Sequence, residues 1–324
     1  MKVLVIGLGS MGKRRIRLIN QYDSSIVICG MDTSEERRLE AEKVYGISTV
    51  ESLEPVEESM YDCAFIATSP LTHSSLIREC LLKNMHVFTE INLVSDGYDD
   101  NIELAAKRRK VLFLSSTFLY REEIQYIDAR VKQTGGPVNY VYHIGQYLPD
   151  WHPWENYQNY FIGDKRTNGC REIFAIELPW IINTFGSVKN MYCMEGKNTK
   201  LAIEYPDHYM VSLEHEGGSR GMLAVDVVSR KAVRKLEVFS ENLYLVWNGT
   251  PEGLYEYDYD QREDIQVNLY EYVERKEGYS DFIVENGYLH EIEMFFEQVT
   301  KGTRPVYDFT KDKGTLEILD RICV

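Results

Sequence analysis

Gly7-Leu8-Gly9-Ser10-Met11-Gly12 forms a G-x-G-x-x-G series between the apolar run 2–6 and a stretch, 13–20, that reads as helix. In a strand–turn–helix setting the three glycines divide the work of holding a dinucleotide. Gly7 permits the tight turn, Gly9 lets the backbone approach a pyrophosphate, and Gly12 lets the helix pack closely on the strand. The helix N-terminus, with Ser10 and Met11 on its rim, then faces the anion. Asp32 ends a second apolar run, 26–31, about 20 residues past the motif, where a carboxylate can accept hydrogen bonds from a ribose 2′-hydroxyl. That favours NAD. Arg37 and Arg38 follow in a polar helix, and one of them can reach a 2′-phosphate, which leaves NADP open; a solvated helix face is the other reading of both.

A second group of residues has substrate chemistry. Between 146 and 171 the chain interleaves Tyr147, Trp151, His152, Trp154, Tyr157 and Tyr160 with Asp150, Asn156, Lys165, Arg166, Asn168 and Arg171, with little periodicity. Aromatic faces beside polar donors suit a sugar, which offers CH faces and hydroxyls, and long irregular loops in compact domains are often functional. Trp151, Trp154, Tyr157 and Arg171 are the substrate contacts expected here. An aromatic packing loop or a dimer contact is the competing reading.

The elements that must position these residues follow from pattern. Apolar runs at 61–68, 85–90 and 111–115 continue the series begun by 2–6 and 26–31, and they alternate with helical stretches, one of them about 97–109. This predicts a doubly wound parallel sheet with crossover helices, an α/β Rossmann domain over 1–120. Ligands then sit at the C-terminal strand ends: 7–12, Asp32, Thr68-Ser69-Pro70 and Glu90. From about 121 the pattern changes. A helix (121–133) and a Gly-Gly-Pro turn precede short alternating runs at 138–147, 191–195, 200–204, 210–215, 221–228, 234–239 and 243–247, interrupted by a helix at about 170–184. These predict a C-terminal α+β domain, 121–324, with an open, mainly antiparallel sheet. Leu289, Ile292, Phe295, Phe296 and Val299 form a helical apolar stripe expected to pack in a core.

At 324 residues the chain suits two domains, or one large one, and 44% hydrophobic with 27% charged residues is ordinary for a globular protein. A net charge of −15 with no basic tract argues against nucleic-acid or anionic-membrane partners. No apolar run approaches the roughly 20 residues of a membrane helix, and a start inside a strand does not resemble a signal peptide. Six scattered cysteines without a C-x-x-C pair read as reduced residues of a cytoplasmic protein, and seven dispersed histidines offer no metal set.

These residues resemble the Gfo/Idh/MocA oxidoreductases. The opening glycines, Asp32 with Arg37 or Arg38, and Ala67-Thr68-Ser69-Pro70-Leu71-Thr72-His73 are similar to that family's first, second and fourth strand motifs, the last with its proline one place late. Val87-Phe88-Thr89-Glu90 matches the strand before its E-K-P signature, Tyr120-Arg121 resembles the opening of its second domain, and Gln146 to Trp151 looks like a subgroup found with polysaccharide or sialic-acid-type sugar pathways. The resemblance spans the chain, more specific in the first half than in the second. It implies bound NAD or NADP contacted by Gly7, Gly9, Ser10, Met11, Gly12, Asp32, Arg37, Thr68, Ser69, Pro70, His73 and Glu90. It also implies hydride transfer on a sugar, polyol or nucleotide-sugar, Tyr120 and Arg121 near the substrate, and a homodimer or homotetramer built through the C-terminal sheet.

The family's proton chemistry uses the E-K-P lysine with a histidine and an aspartate on a second-domain helix. Here Ile91 and Asn92 replace lysine and proline, and the histidine position falls on Ile176 or Glu177, depending on a one-residue gap. Ile91 can exchange no proton. Glu177, Lys165 and His152 are the candidate acid–base groups, each with a structural alternative: an ion pair for Glu177, solvent exposure for Lys165, packing between prolines and tryptophans for His152. A non-catalytic NAD(P)/sugar-binding sensor or scaffold, and a lyase using bound NAD transiently, are the alternative functions.

Overall fold

The computed structural model describes residues 1–151, 156–275 and 282–323. They form two compact units, 1–116 with 288–314, and 117–287 with 315–324. A single cut between 120 and 121 therefore gives way to a division in which the chain returns to its first unit near the end.

The first unit carries six parallel strands: β1 (Lys2–Ile6), β2 (Val27–Met31), β3 (Ser48–Val50), β4 (Cys63–Ile66), β5 (His86–Thr89) and β6 (Leu112–Leu114). Their order is β3-β2-β1-β4-β5-β6, so the winding reverses between β1 and β4 and opens a crevice at their C-terminal ends. β1, β4 and β5 are almost wholly buried, which explains why they read as continuous apolar runs rather than alternating ones. The crossovers are α1 (Ser10–Tyr22), α2 (Glu35–Tyr45), α3 (Pro70–Leu82) and α4 (Tyr98–Arg108). α2 ends where Gly46 enters the left-handed region (φ 65°), a position that glycine adopts without a Cβ penalty.

The second unit holds an eight-stranded sheet, ordered β14-β13-β12-β11-β7-β10-β9-β8. Its strands are β7 (Asn139–Gly145), β8 (Val188–Gly196), β9 (His208–His215), β10 (Arg220–Asp226), β11 (Val233–Ser240), β12 (Leu243–Trp247), β13 (Leu254–Asp258) and β14 (Glu263–Gln266). Only β7 and β10 pair in parallel. Period-two alternation buries Tyr140, Tyr142, Tyr209, Val211, Leu213, Leu223, Leu236 and Val238 on one face. Helices α5 (Glu122–Gln133) and α6 (Gly169–Phe185) complete the layer. Residues 200–204, expected as a strand, are irregular: the buried Asp207 carboxylate takes the backbone N–H groups of Asn198 and Thr199 instead, and Lys197 Nζ donates to the Ile203 carbonyl at 2.6 Å. β3, β13 and β14 were not anticipated.

Two further helices, α7 (Glu285–Lys301) and α8 (Phe309–Ile322), close the fold. Within the first unit, Phe295 of α7 meets Phe65, Phe88 and Phe113 edge-on at 5.0–5.7 Å, while those three rings stack across β4, β5 and β6 at 4.7 and 5.2 Å. The apolar stripe is therefore core, as its spacing predicts. No helix among the described residues is long and apolar enough to cross a membrane, and none of their His, Cys, Asp and Glu side chains cluster as a metal site.

Candidate cofactor rim and active-site helix

Gly7 follows β1 at φ 90°, and a Cβ there would lie 2.6 Å from the Ala67 carbonyl oxygen. A Cβ on Gly12 would lie 1.8 Å from the Gly7 carbonyl, so α1 reaches its strand only because position 12 has no side chain. Gly9 is different. Only one atom, Arg37 Nη1 at 4.0 Å, comes near its missing Cβ, so the turn is open above the helix start. α1 has no side-chain cap, whereas α2 is capped by Ser34 and α6 by Asn168. Its first N–H groups are thus left for an anion. Ser10 is exposed and Met11 half-buried beside this turn.

Asp32 closes the rim at the end of β2. Its carboxylate accepts from the Leu8 and Ser34 N–H groups, both at 2.8 Å, and Arg37 Nη1 stands 3.7 Å away with its side chain 53% exposed. Arg38 instead donates to the carbonyls of Asp32 and Thr33. Arg37 is therefore the arginine free to move toward a ribose substituent. Thr68 and Ser69 stand half-exposed after β4, and Pro70 starts α3. These groups fit a nicotinamide dinucleotide, NAD or NADP: an open glycine turn and uncapped helix for the pyrophosphate, and a fixed carboxylate for the ribose.

Two expected cofactor contacts face inward. His73 is buried, with Nδ1 2.7 Å from Asn92 Oδ1 and Nε2 3.0 Å from the Thr68 carbonyl oxygen, and burial lowers its pKa. It holds the loop of Thr68 from behind. Glu90 is taken by Arg15, which donates from Nε at 2.5 Å and from Nη2 at 3.0 Å. The same guanidinium reaches Ser115 Oγ (3.2 Å) and Glu291 Oε2 (2.8 Å) and lies 4.5 Å above the Phe88 ring. Glu90 and Asn92 are thus both anchored in the fold, and Ile91 between them is the half-exposed residue of the segment.

In the second unit, Glu177 of α6 is 1% exposed. It accepts from Tyr142 Oη (2.9 Å), Trp180 Nε1 (2.7 Å), Arg234 Nε (3.1 Å) and Arg234 Nη2 (2.6 Å). Four donors occupy the four lone-pair directions of one carboxylate. Glu177 is therefore held in a buried ion pair with Arg234. Arg171 is buried and reaches Asp320, tying α6 to α8. Arg121 is also buried. It pairs with Glu123, donates to the carbonyls of Gly249 and Phe282, and lies over the Trp247 ring at 5.1 Å. Both arginines, expected near the substrate, are engaged by these protein groups. Tyr120 stands half-exposed on a 3-10 turn (Thr117–Tyr120), and Lys165 is exposed. Trp151 is half-exposed, with its indole N–H on the Gln146 carbonyl; Tyr157 is half-exposed, its hydroxyl accepting from the Ala202 N–H. His152 and Trp154 lie outside the described residues.

Two structural residues were missed by sequence reasoning. Arg15 lay in a run read simply as helix. Arg234 shares the inward side of β11 with Leu236 and Val238, and an arginine at an inward position signals a buried carboxylate. Of α6, only Glu172, Ile176, Ile182 and Asn183 remain partly exposed. Ile176 and Glu172 share one face at a spacing of four, a relation a helical projection reveals. The half-open position in the motif alternative is therefore Ile176, not Glu177.

Comparison with known proteins bears on the first unit most directly. Residues 1–116 match the family model for the oxidoreductase family with NAD-binding Rossmann fold. A myo-inositol 2-dehydrogenase of Thermotoga maritima is 29% identical over 117 residues, a match spanning 35% of this chain and 35% of that relative. The solved UDP-N-acetylglucosamine 3-dehydrogenase of Acidithiobacillus ferrooxidans superposes with a TM-score of 0.74 at 17% identity, covering 99% of this chain and 96% of that one. Levoglucosan dehydrogenase in complex with NADH and L-sorbose gives 0.81 at 14% identity, covering 99% and 95%. At such identities the structures establish the fold alone, across both units. Residues 1–116 thus match the oxidoreductase family with NAD-binding Rossmann fold.

Proposed function

We propose that this protein is an NAD(P)-dependent oxidoreductase that moves a hydride to or from a secondary alcohol carbon of a sugar, polyol or nucleotide-sugar, within polysaccharide or surface-sugar biosynthesis. The observation that carries the reading is the open, uncapped glycine turn beside the backbone-anchored Asp32. The myo-inositol 2-dehydrogenase, 29% identical over 117 residues, supports a polyol or sugar as substrate. A bound nicotinamide ring would supply the hydride acceptor. The chain's own part is to hold the pyrophosphate at α1, orient the ribose with Asp32, and offer the rings of Tyr147, Trp151 and Tyr157 to a sugar face.

The test is NAD(P)H absorbance across a panel of sugars, polyols and nucleotide-sugars, with dinucleotide binding followed by calorimetry. Turnover of one pairing is expected. Binding with silence across the panel would instead favour a sensor or scaffold, the reading motivated by Ile91 and Ile176 where the family has lysine and histidine. Product without net NADH would indicate a lyase.

The outer face of the second unit's sheet supports self-association. Tyr192 (68% exposed) and Met222 (61%) flank Ser212 in adjacent strands, and Met194 pairs with Met210. Covering this apolar face with a second copy gives a homodimer or homotetramer. Light scattering should report more than a monomer, and Met222→Lys should lower the mass.

A further inference from the structure

We propose that the first unit holds a small zwitterion, an α-amino acid with an apolar side chain, in a cavity at the end of its sheet opposite the dinucleotide crevice. The cavity measures about 390 Å³, within the range of small-molecule sites. It opens where the chain enters β4, β5 and β6, whereas the crevice lies at the C-terminal ends of the strands. The site needs neither the dinucleotide nor any residue of the second unit.

The turns into these strands are built alike. Of the four non-glycine residues at positive φ among the described residues, three precede them: Ser59 (63°) before β4, Asn84 (67°) before β5 and Arg109 (55°) before β6. A side chain in the left-handed region carries strain that neighbouring bonds must hold. Here the Ser59 N–H donates to the Lys83 carbonyl and Asn84 Nδ2 donates to Ser59 Oγ, both at 2.9 Å. The cavity is lined from these turns by Ser59, Asp62, Asn84, His86 and Lys110, while Met1, Tyr61 and Val299 add apolar surface.

The ionisable groups select the ligand. His86 Nδ1 accepts the Val111 N–H at 3.0 Å, which leaves the imidazole hydrogen on Nε2. Burial and then Lys110 push the His86 pKa down to about 4 against the pull of Asp62, so the ring is an uncharged N–H donor at neutral pH. Among the described residues Nε2 meets no acceptor. Lys110, half-buried, likewise has no hydrogen bond or ion pair among them, whereas Lys83 is taken by the Val56 carbonyl and Arg108 by Glu58. Asp62 accepts the Lys2 N–H on Oδ2, and no donor among the described residues reaches Oδ1. Lys110 and Asp62 both act on His86, yet no ion pair joins them. A carboxylate fits Lys110 and the His86 Nε2–H, and an ammonium fits the open oxygen of Asp62. A simple anion would meet Asp62 and a simple cation would meet Lys110, so a molecule carrying both charges is the complement. Its side chain then lies toward Met1, Tyr61 and Val299.

The experiment is calorimetric titration of the dinucleotide-free protein with L-valine, L-leucine and L-methionine. Each is compared with the matching carboxylic acid that lacks the ammonium and the matching amine that lacks the carboxylate. At least one amino acid should bind and raise the melting temperature, and its two analogues should bind about tenfold or more weakly. Lys110→Gln and Asp62→Asn should each weaken that binding about tenfold or more while the ligand-free variants keep the wild-type melting temperature, and either variant carries the test if the other fails to fold. No binding of any of the three amino acids, an analogue that binds as tightly as its amino acid, or undiminished binding in a folded variant overturns the assignment. All of these outcomes leave the oxidoreductase reading as it stands.

Discussion

The two units each bury an arginine among groups that look functional, and they balance it differently. In the first, one guanidinium serves two carboxylates, Glu90 and Glu291, and Arg15 Nη1 has no acceptor. In the second, one guanidinium and two neutral donors saturate the single carboxylate of Glu177. Burial raises the Glu291 pKa even with Arg15 beside it. The second is electrically closed. An acidic residue on a promising helix is thus no guide to chemistry until its donors are counted.

Breaking the clusters should rank accordingly. Arg15→Met removes the guanidinium that Glu90 and Glu291 share and should lower unfolding free energy by about 3–5 kcal/mol in urea titrations. Glu177→Gln strands the Arg234 charge while keeping the side chain's shape, and should cost about 1–3 kcal/mol. Glu291→Gln keeps the side chain's shape and removes a carboxylate whose ionisation burial already disfavours, and it should cost less than about 1 kcal/mol. The sign of its pH dependence sharpens the contrast. A folded pKa above the ordinary 4.5 means that the stabilisation is complete below that value and is lost as pH rises through the raised one. Wild-type stability should therefore decline over that interval, and Glu291→Gln should flatten the decline. An equal cost for Glu177→Gln and Glu291→Gln would erase the distinction between the clusters.

The cofactor rim was legible in sequence because it is local: three glycines, a strand on one side and a helix on the other, with Asp32 at a fixed distance. The buried strands were legible as apolar runs. The clusters were not, because their members are far apart in the chain. Arg15 lies 75 residues from Glu90 and 276 from Glu291, and Arg234 lies 57 from Glu177. Only the sheet registers and helix faces bring them together. The short strands β13 and β14 escaped for another reason: their side chains are mostly half-exposed or exposed, so they lack a buried apolar period.

The account's central claim is that the first unit holds a nicotinamide dinucleotide at the open glycine turn beside Asp32. The most direct measurement is calorimetric titration of NAD and of NADP into the wild type and into Gly9→Val, with melting temperature read beside it. The wild type should bind one of the two, and Gly9→Val should lose that binding while it keeps its melting temperature, because only the approach of the pyrophosphate is blocked. Undiminished binding in Gly9→Val, or no dinucleotide binding by a folded wild type, would contradict the account.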